Sequence, residues 1–190
     1  AYLGMATMIQ PDPRSWWQVW SRAAFAILSA NAPFEQSVSA LAYATRHIGA
    51  ADAESLTRYG MVPTKAGYLN ALPRGRAALT LTRQAGESYH DQRLRLTKVQ
   101  GLALTKASFL AALLDPLRAD VACIDTHMQR VYLGTRGFRT LTLVDYLKVE
   151  SQVREVGERH KVSTFLAQWA IWDHARGKVT SHAIFPGGHK

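Results

Sequence analysis

Residues that can bind a phosphate and residues that can carry out acid–base chemistry lie within one stretch of the chain, Lys98 to Arg130. A short apolar turn at residues 99–103 contains Gly101 and precedes a helix predicted over residues 105–114. Backbone amides at such a turn and helix start can bind a phosphate. Asp125, 19 residues after Lys106, stands at the predicted start of another helix. This layout indicates an enzyme that grips a DNA backbone and does chemistry on one nucleotide.

Asp125 is the strongest candidate for the chemistry. A carboxylate at the mouth of a base pocket can stabilise positive charge developing on a sugar, or act as a general base. The structural alternative is a helix N-cap, for which Asp is among the best residues, and the two roles are compatible. His127 can accept a proton near neutral pH, or can simply be a buried histidine bonded to backbone. Arg130 either binds a phosphate or pairs with an acid such as Asp173.

The charge of the chain favours a polyanion as partner. Lys and Arg number 23 against 14 Asp and Glu, which gives a formal net charge of +9. Salt-dependent phosphate binding is the ordinary use of such a balance, although a solvated basic face without a partner is the alternative. The basic residues concentrate before and inside the hairpin: Arg74, Arg76, Arg83, Arg93, Arg95, Lys98 and Lys106.

Composition excludes several classes of protein. The single cysteine, Cys123, rules out an intramolecular disulfide framework and a four-cysteine iron–sulfur cluster, and the stretch HAIFPGGHK at the end has no cysteine. No apolar run reaches the 18 or more residues that a membrane helix needs. The opening residues lack a basic segment followed by an apolar core, so no secretion signal is expected there. We expect a cytoplasmic protein (in the host cell, if it is viral) with no membrane association, no cofactor and no metal site.

The apolar spacing predicts helices throughout the chain and no strand. Asn31 ends the first helix with Pro33 close behind, so it is either a polar tip that fills the gap left by a flipped base or a simple helix C-cap. The predicted helices cover residues 16–31, 37–48, 53–59, 64–72, 77–86, a basic segment up to 97, 105–114, 126–132, 143–160 and 163–174.

Several segments, in order, resemble the helix-hairpin-helix DNA glycosylase superfamily, whose signature joins a glycine-rich hairpin to a V-D-T-H element. That element stands here as Ile124-Asp-Thr-His127. The segment from Phe25 to Asn31 is similar to the superfamily's early helix and the loop that enters the duplex, and Pro63 to Tyr68 to its Lys-Ala helix start. The closing helices match between Val149 and Asp173.

The resemblance implies an all-α fold of two helical lobes with a cleft for DNA and a flipped base between them, and no iron–sulfur cluster. Residues 24–126 would form a helical barrel lobe that carries the helix-hairpin-helix at about 89–114. Residues 1–23 and 127–190 would form the second lobe. The DNA-binding residues implied are Gly101, Leu102, Ala103, Thr105, Lys106, Lys98 and Asn31, and a monovalent cation at the hairpin is a further expected partner.

The hairpin departs from the pattern of the bifunctional glycosylases, in which a lysine two residues after the second glycine attacks the sugar. Aligning Gly101 with the first glycine puts Ala103 at the second and Thr105 at the position of the nucleophile. Lys106 then lies one residue late, about 100° round the helix. A shift of one residue would restore Lys106 but misplace Gly101, so the preferred alignment contains no lyase lysine.

The strings GLALTKASF and ACIDTHMQR resemble one branch of the superfamily, the phage α-glutamyl/putrescinyl-thymine pyrophosphorylases, or amino acid:DNA transferases. Met128 stands where that branch has Asn, and Ala103 where it has Gly. The resemblance implies thymine hypermodification: an amino acid or polyamine displaces pyrophosphate from 5-pyrophosphoryloxymethyluracil in double-stranded DNA. Asp125 and His127 would be catalytic, and Arg130 and Asp173 would line the substrate pocket. A monofunctional DNA N-glycosylase and a non-catalytic DNA-binding module are the alternatives.

Overall fold

The computed structural model describes residues 11–137 and 139–177. Over these residues the chain is helical and contains no strand, which confirms the predicted all-α class. The opening segment, the cysteine-free end and part of the second predicted lobe lie outside the described residues. The helices are α1 Trp16–Leu28, α2 Phe34–Ala44, α3 Ala53–Thr57, α4 Thr64–Ala71, a 3₁₀ helix Gly75–Leu81, α5 Tyr89–Leu96, α6 Leu104–Leu114, α7 Thr126–Leu133, α8 Leu143–Arg159 and α9 Thr164–Arg176.

The chain divides into two compact units between Leu114 and Asp115. The first unit is formed by residues 11–114, and the described part of the second runs from residue 115 to residue 177. The lobe boundaries at residues 24 and 126, which came from the resemblance, remain a prediction. No helix in the described ranges has both the length and the apolar composition needed to cross a membrane.

Helix α1 is the centre of the first unit. From Ala23 to Leu28 every side chain is buried, so this half of the helix is apolar on all sides rather than amphipathic. It packs against α2, α4, α6 and the 3₁₀ helix. Phe25 contacts Phe34 edge-on at 5.8 Å between ring centroids and Phe109 at 6.1 Å. Burial of each such side chain stabilises the unit by about 1.5–3 kcal/mol.

Helices α5 and α6 pack against each other and form the helix-hairpin-helix. The Ser88 hydroxyl accepts from the amide of Asp91 and caps α5. Residues 97–103 make the hairpin, and α6 is buried from Ala107 to Leu114. The sequence predicted the start of the second helix within one residue and the start of the hairpin within two residues of their observed positions.

The second unit packs α9 against α7 and α8. Each of these helices begins at a side-chain cap: α7 at Asp125, α8 at Thr142 and α9 at Ser163. The turn between α8 and α9 is tight: a Cβ added to Gly157 would lie 2.8 Å from the carbonyl oxygen of Val162, so only glycine fits without a shift of the backbone.

The predicted helix over residues 77–86 is wrong in type and length, because this segment is a 3₁₀ helix that ends at Leu81. The carbonyls of Thr80 and Thr82 accept from the Arg95 guanidinium, with a distance of 2.9 Å for Thr82, instead of continuing a helix. Arg95 also forms an ion pair with Glu87 at 2.7 Å. A contact from a distant arginine therefore overrides the local helical pattern, and periodicity alone does not reveal it.

Candidate nucleic-acid interface and active site

No residue other than glycine fits at position 101 of the hairpin without strain. Its φ of +87° lies in the left-handed region, and an added Cβ would lie 2.8 Å from Cγ of Tyr68. The turn closes through hydrogen bonds from Val99 to Leu96 and from Leu102 to Val99, both 3.0 Å, and Leu102 anchors it in the core. No acceptor in the described chain receives the amides of Gly101, Ala103, Leu104 or Thr105. These amides are the donors that a phosphate needs.

Thr105 and Lys106 differ in what their side chains do. Helix α6 begins at Leu104, so Thr105 lies inside its first turn. The Lys106 ammonium donates to the carbonyl and the hydroxyl of Ser29 at 3.2 and 3.1 Å. It also lies 5.3 Å from the centre of the Phe109 ring. Lys106 is therefore bound to the end of α1.

Asn31 forms an exposed tip after α1. The C-cap of this helix is Ser29, so the simple C-cap role is not what the structure shows: Asn31 lies two residues further on, at a φ of +51°. A cavity of about 220 Å³ lies beside it in the first unit. Its walls are Ile27, Ala30, Asn31, Gly60, Val62, Lys65, Tyr68 and Gly101, so it joins the Asn31 tip to the hairpin.

The basic residues around the hairpin do not all reach solvent, contrary to expectation. Arg93 is fully buried in the face of α5 that meets α6, where it contacts Ser108 and His90. Arg95 is held by Glu87 and the 3₁₀ helix, as described above. The residues that remain exposed are Arg74, Arg76, Arg83 and Lys98. A run of basic residues on a helix indicates charge but not which side faces the core.

Asp125 caps α7 with one oxygen only. Its Oδ1 accepts from the amides of His127 and Met128 at 3.0 and 3.1 Å. Its Oδ2 has no hydrogen-bond donor among the described residues, and the side chain is half-buried. The cap fixes the orientation of the carboxylate and leaves its second oxygen available to substrate or water.

Three buried side chains hold the segment that leads to Asp125, and sequence reasoning missed all of them. Glu150 accepts from the amide of Ala122 at 2.8 Å, and Gln168 from the amide of Cys123 at 2.7 Å. The Tyr146 hydroxyl accepts from Ile124 at 3.2 Å and donates to the carbonyl of Ala122 at 2.6 Å. The only hint in the sequence is a polar residue at a core position of α8 and of α9.

The remaining candidates of the second unit lie on α7 and α9. Nδ1 of His127 is buried and bonds to no described residue, so a backbone bond does not explain it. Its ring meets Trp172 edge-on at 6.2 Å. Asp173 is buried and pairs with Arg176 at 3.4 Å, not with Arg130. Arg130 is exposed and has no ion pair within the described chain, which leaves it free to meet a phosphate.

Comparison with known proteins identifies the fold. No protein-family model matches the sequence. The structure is similar to the Methanocaldococcus jannaschii 8-oxoguanine glycosylase/lyase in complex with DNA containing 8-oxoguanine, at a TM-score of 0.76 and 20% identity over 93% of this chain and 88% of that one. It is similar to the 8-oxoguanine DNA glycosylase of Thermotoga maritima at 0.74 and 20%, over 94% and 90% of the two chains. The chain therefore has the fold of the helix-hairpin-helix DNA glycosylases.

Proposed function

We propose that this protein is an enzyme that binds duplex DNA through the 97–103 hairpin and acts on a flipped nucleotide with Asp125. The observation that carries the proposal is the divided use of the Asp125 carboxylate: Oδ1 holds the helix start and Oδ2 has no protein donor. Three buried side chains, Tyr146, Glu150 and Gln168, bond the backbone of residues 122–124 and thereby fix the chain that leads to Asp125. The unpartnered hairpin amides would bind DNA phosphates, and this contact does not depend on the base sequence.

The reaction that the comparisons favour is hydrolysis of the N-glycosidic bond. As the bond between C1′ and the base lengthens, positive charge develops on the sugar, and a carboxylate beside it stabilises that charge. Water then adds to C1′ and loses its proton to Asp125, while the base leaves with the bonding electron pair. Because Thr105 has no amine and Lys106 is bound to Ser29, the enzyme would be a monofunctional glycosylase.

A second candidate is the amino acid:DNA transferase, favoured by the motifs from Gly101 to Phe109 and from Ile124 to His127. In this reaction the nitrogen of an amine bonds to the exocyclic methylene on C5 of the pyrimidine, and pyrophosphate leaves with the electrons of the broken C–O bond. Asp125 or His127 takes the proton of the amine, and the exposed Arg130 is suited to the charge of pyrophosphate. A target within the stack would have to be flipped in either reaction.

Mass spectrometry of the products separates the candidates. Duplexes that carry 8-oxoguanine, other damaged bases or 5-pyrophosphoryloxymethyluracil are incubated with the protein, with and without amino acids and polyamines. A free base identifies a glycosylase, and a base joined to an amine together with pyrophosphate identifies the transferase. Binding without any product would contradict both and leave the non-catalytic module.

A further inference from the structure

Two lysines from distant parts of the first unit meet at the end of α1. The Lys65 ammonium, on α4, donates to the carbonyls of Leu28 and Ala30 at 2.8 and 2.7 Å and lies 3.4 Å from the sulfur of Met61. The Lys106 ammonium, on α6, donates to the carbonyl of Ser29 between them. Three consecutive carbonyls are therefore held by two cations, and the next residue is Asn31.

Helix stability alone does not account for this arrangement. The last turn of α1 has no basic residue of its own, and one cation is enough to stabilise a helix C-terminus. The second cation is unfavourable here: burial and the neighbouring Lys106 charge lower the pKa of Lys65 from 10.5 to about 8. The protein thus holds two like charges at one helix end, with Lys65 only 5% exposed.

The position of Asn31, directly after the carbonyls that Lys65 and Lys106 bind, suggests what the two lysines do. Asn31 has a φ of +51°, a left-handed conformation that Asn adopts more readily than most residues, so the chain turns sharply directly after the three carbonyls that the lysines hold. The bonds from the lysines fix residues 28–30 and thereby set the direction in which the chain presents Asn31. Both ammonium groups are occupied by carbonyls, so neither lysine is placed to act as a nucleophile.

We propose that Lys65 and Lys106 are positioning residues for Asn31, which they hold as a preset tip that enters the duplex when a base is flipped. This inference rests on the proposed function for its DNA step, but the ordering of Asn31 by the lysines is a property of the free protein. It assigns Lys106 to the tip of α1 rather than to the chemistry on the sugar.

The test uses Lys65→Met, Lys106→Met, Asn31→Ala and, as a matched control, Lys148→Met, which removes an exposed lysine from α8. Amide ¹⁵N relaxation of the free protein reports the order of Asn31. Fluorescence of 2-aminopurine at the target position of a duplex reports base unstacking. Because Lys65 is buried and its replacement threatens the fold, the half-buried Lys106 provides the second variant.

In both lysine variants, Asn31 should be more mobile, and base unstacking should fall to the level seen with Asn31→Ala. Lys148→Met should behave as wild type in both measurements. The double variant Lys106→Met/Asn31→Ala should be no worse than Asn31→Ala alone. Folded lysine variants in which Asn31 stays as ordered as in wild type would overturn the inference, as would additive losses in the double variant. Absence of unstacking by the wild-type protein would contradict the proposed function and the DNA step, and the relaxation data would still decide whether the lysines order Asn31.

Discussion

At the scale of single residues, the types and spacing of the chemistry-bearing side chains were accessible from the sequence, but their partners were not. Asp125 was predicted as an N-cap and catalytic candidate, and the structure shows the cap, with one oxygen left over. Gly101 was predicted from its turn, and the contact with Tyr68 adds a second reason for glycine. The bond from Lys106 to Ser29 joins residues 77 apart in the chain, and no local pattern contains that information.

We predict that the protein forms no covalent adduct with an abasic site. Thr105 stands at the position of the lyase lysine and cannot form a Schiff base, while the Lys106 amine is bound to Ser29. Borohydride reduction in the presence of abasic DNA, followed by denaturing electrophoresis, should show no retained complex. A trapped complex that disappears in Lys106→Ala would show that the alignment is one residue off and that the enzyme is a lyase.

At the scale of elements, helix positions followed from apolar periodicity, whereas the 3₁₀ helix and the segment before Asp125 did not. Residues 122–124 have no helical pattern, and their amides are satisfied by side chains from α8 and α9 that lie 22 to 45 residues away. Such long-range side-chain bonds replace secondary structure there and set the path to Asp125. The backbone amides in this network are satisfied, whereas the buried Nε2 of Gln168 bonds to no described residue.

Removing one hydroxyl from that network should affect catalysis more than DNA binding. Tyr146→Phe leaves the amide of Ile124 and the carbonyl of Ala122 without their partner, which costs about 1–3 kcal/mol of stability. We expect a lower melting temperature and a lower kcat on the reactive duplex, with unchanged affinity for ordinary duplex. Tyr59→Phe is the matched control, because the Tyr59 hydroxyl makes no hydrogen bond to described residues. Equal kcat for Tyr146→Phe and wild type would show that the network does not position Asp125.

The free energy of unfolding should depend on pH because of Lys65. Its pKa is about 8 in the folded protein, lowered by burial and by Lys106, against 10.5 ordinarily. The unfolded chain therefore binds more protons between these two values, and folding stability gains with rising pH across that window. Lys106 and Tyr68 are the titratable groups that face the same region. Urea titrations from pH 7 to 10.5 should show wild type gaining stability relative to Lys65→Met, and a constant difference would refute the lowered pKa.

At the scale of the whole molecule, the net charge predicted a polyanion as partner, and the apolar spacing predicted an all-α class, which the structure confirms over the described residues. The net charge of +9 overstates the usable charge near the hairpin, because Arg93, Arg95 and Lys106 are occupied inside the first unit. A count of charged residues does not show which of them are buried or bonded to other protein groups. The division of the chain at Leu114 also had no signal in composition.

Affinity for duplex DNA should fall steeply with salt, but less steeply than the net charge suggests. If Arg74, Arg76, Arg83 and Lys98 each neutralise one phosphate, the slope of log K against log salt is about −3 to −4. Fluorescence anisotropy between 50 and 300 mM salt, a range of about sixfold, measures the slope. Gly101→Val should weaken binding to all sequences alike, since backbone amides read no bases. Salt-independent binding would contradict the assignment of this surface.

The variant Asp125→Asn tests most directly whether the Asp125 carboxylate carries out the chemistry. Asn caps a helix about as well as Asp, so the variant should keep its melting temperature, and loss of a negative charge should leave DNA affinity equal or higher. Product formation on the duplex that wild type processes should fall by about 10²- to 10⁴-fold, the usual cost of losing a general base. A variant that turns over at the wild-type rate would show that Asp125 is only a cap and that the chemistry lies elsewhere.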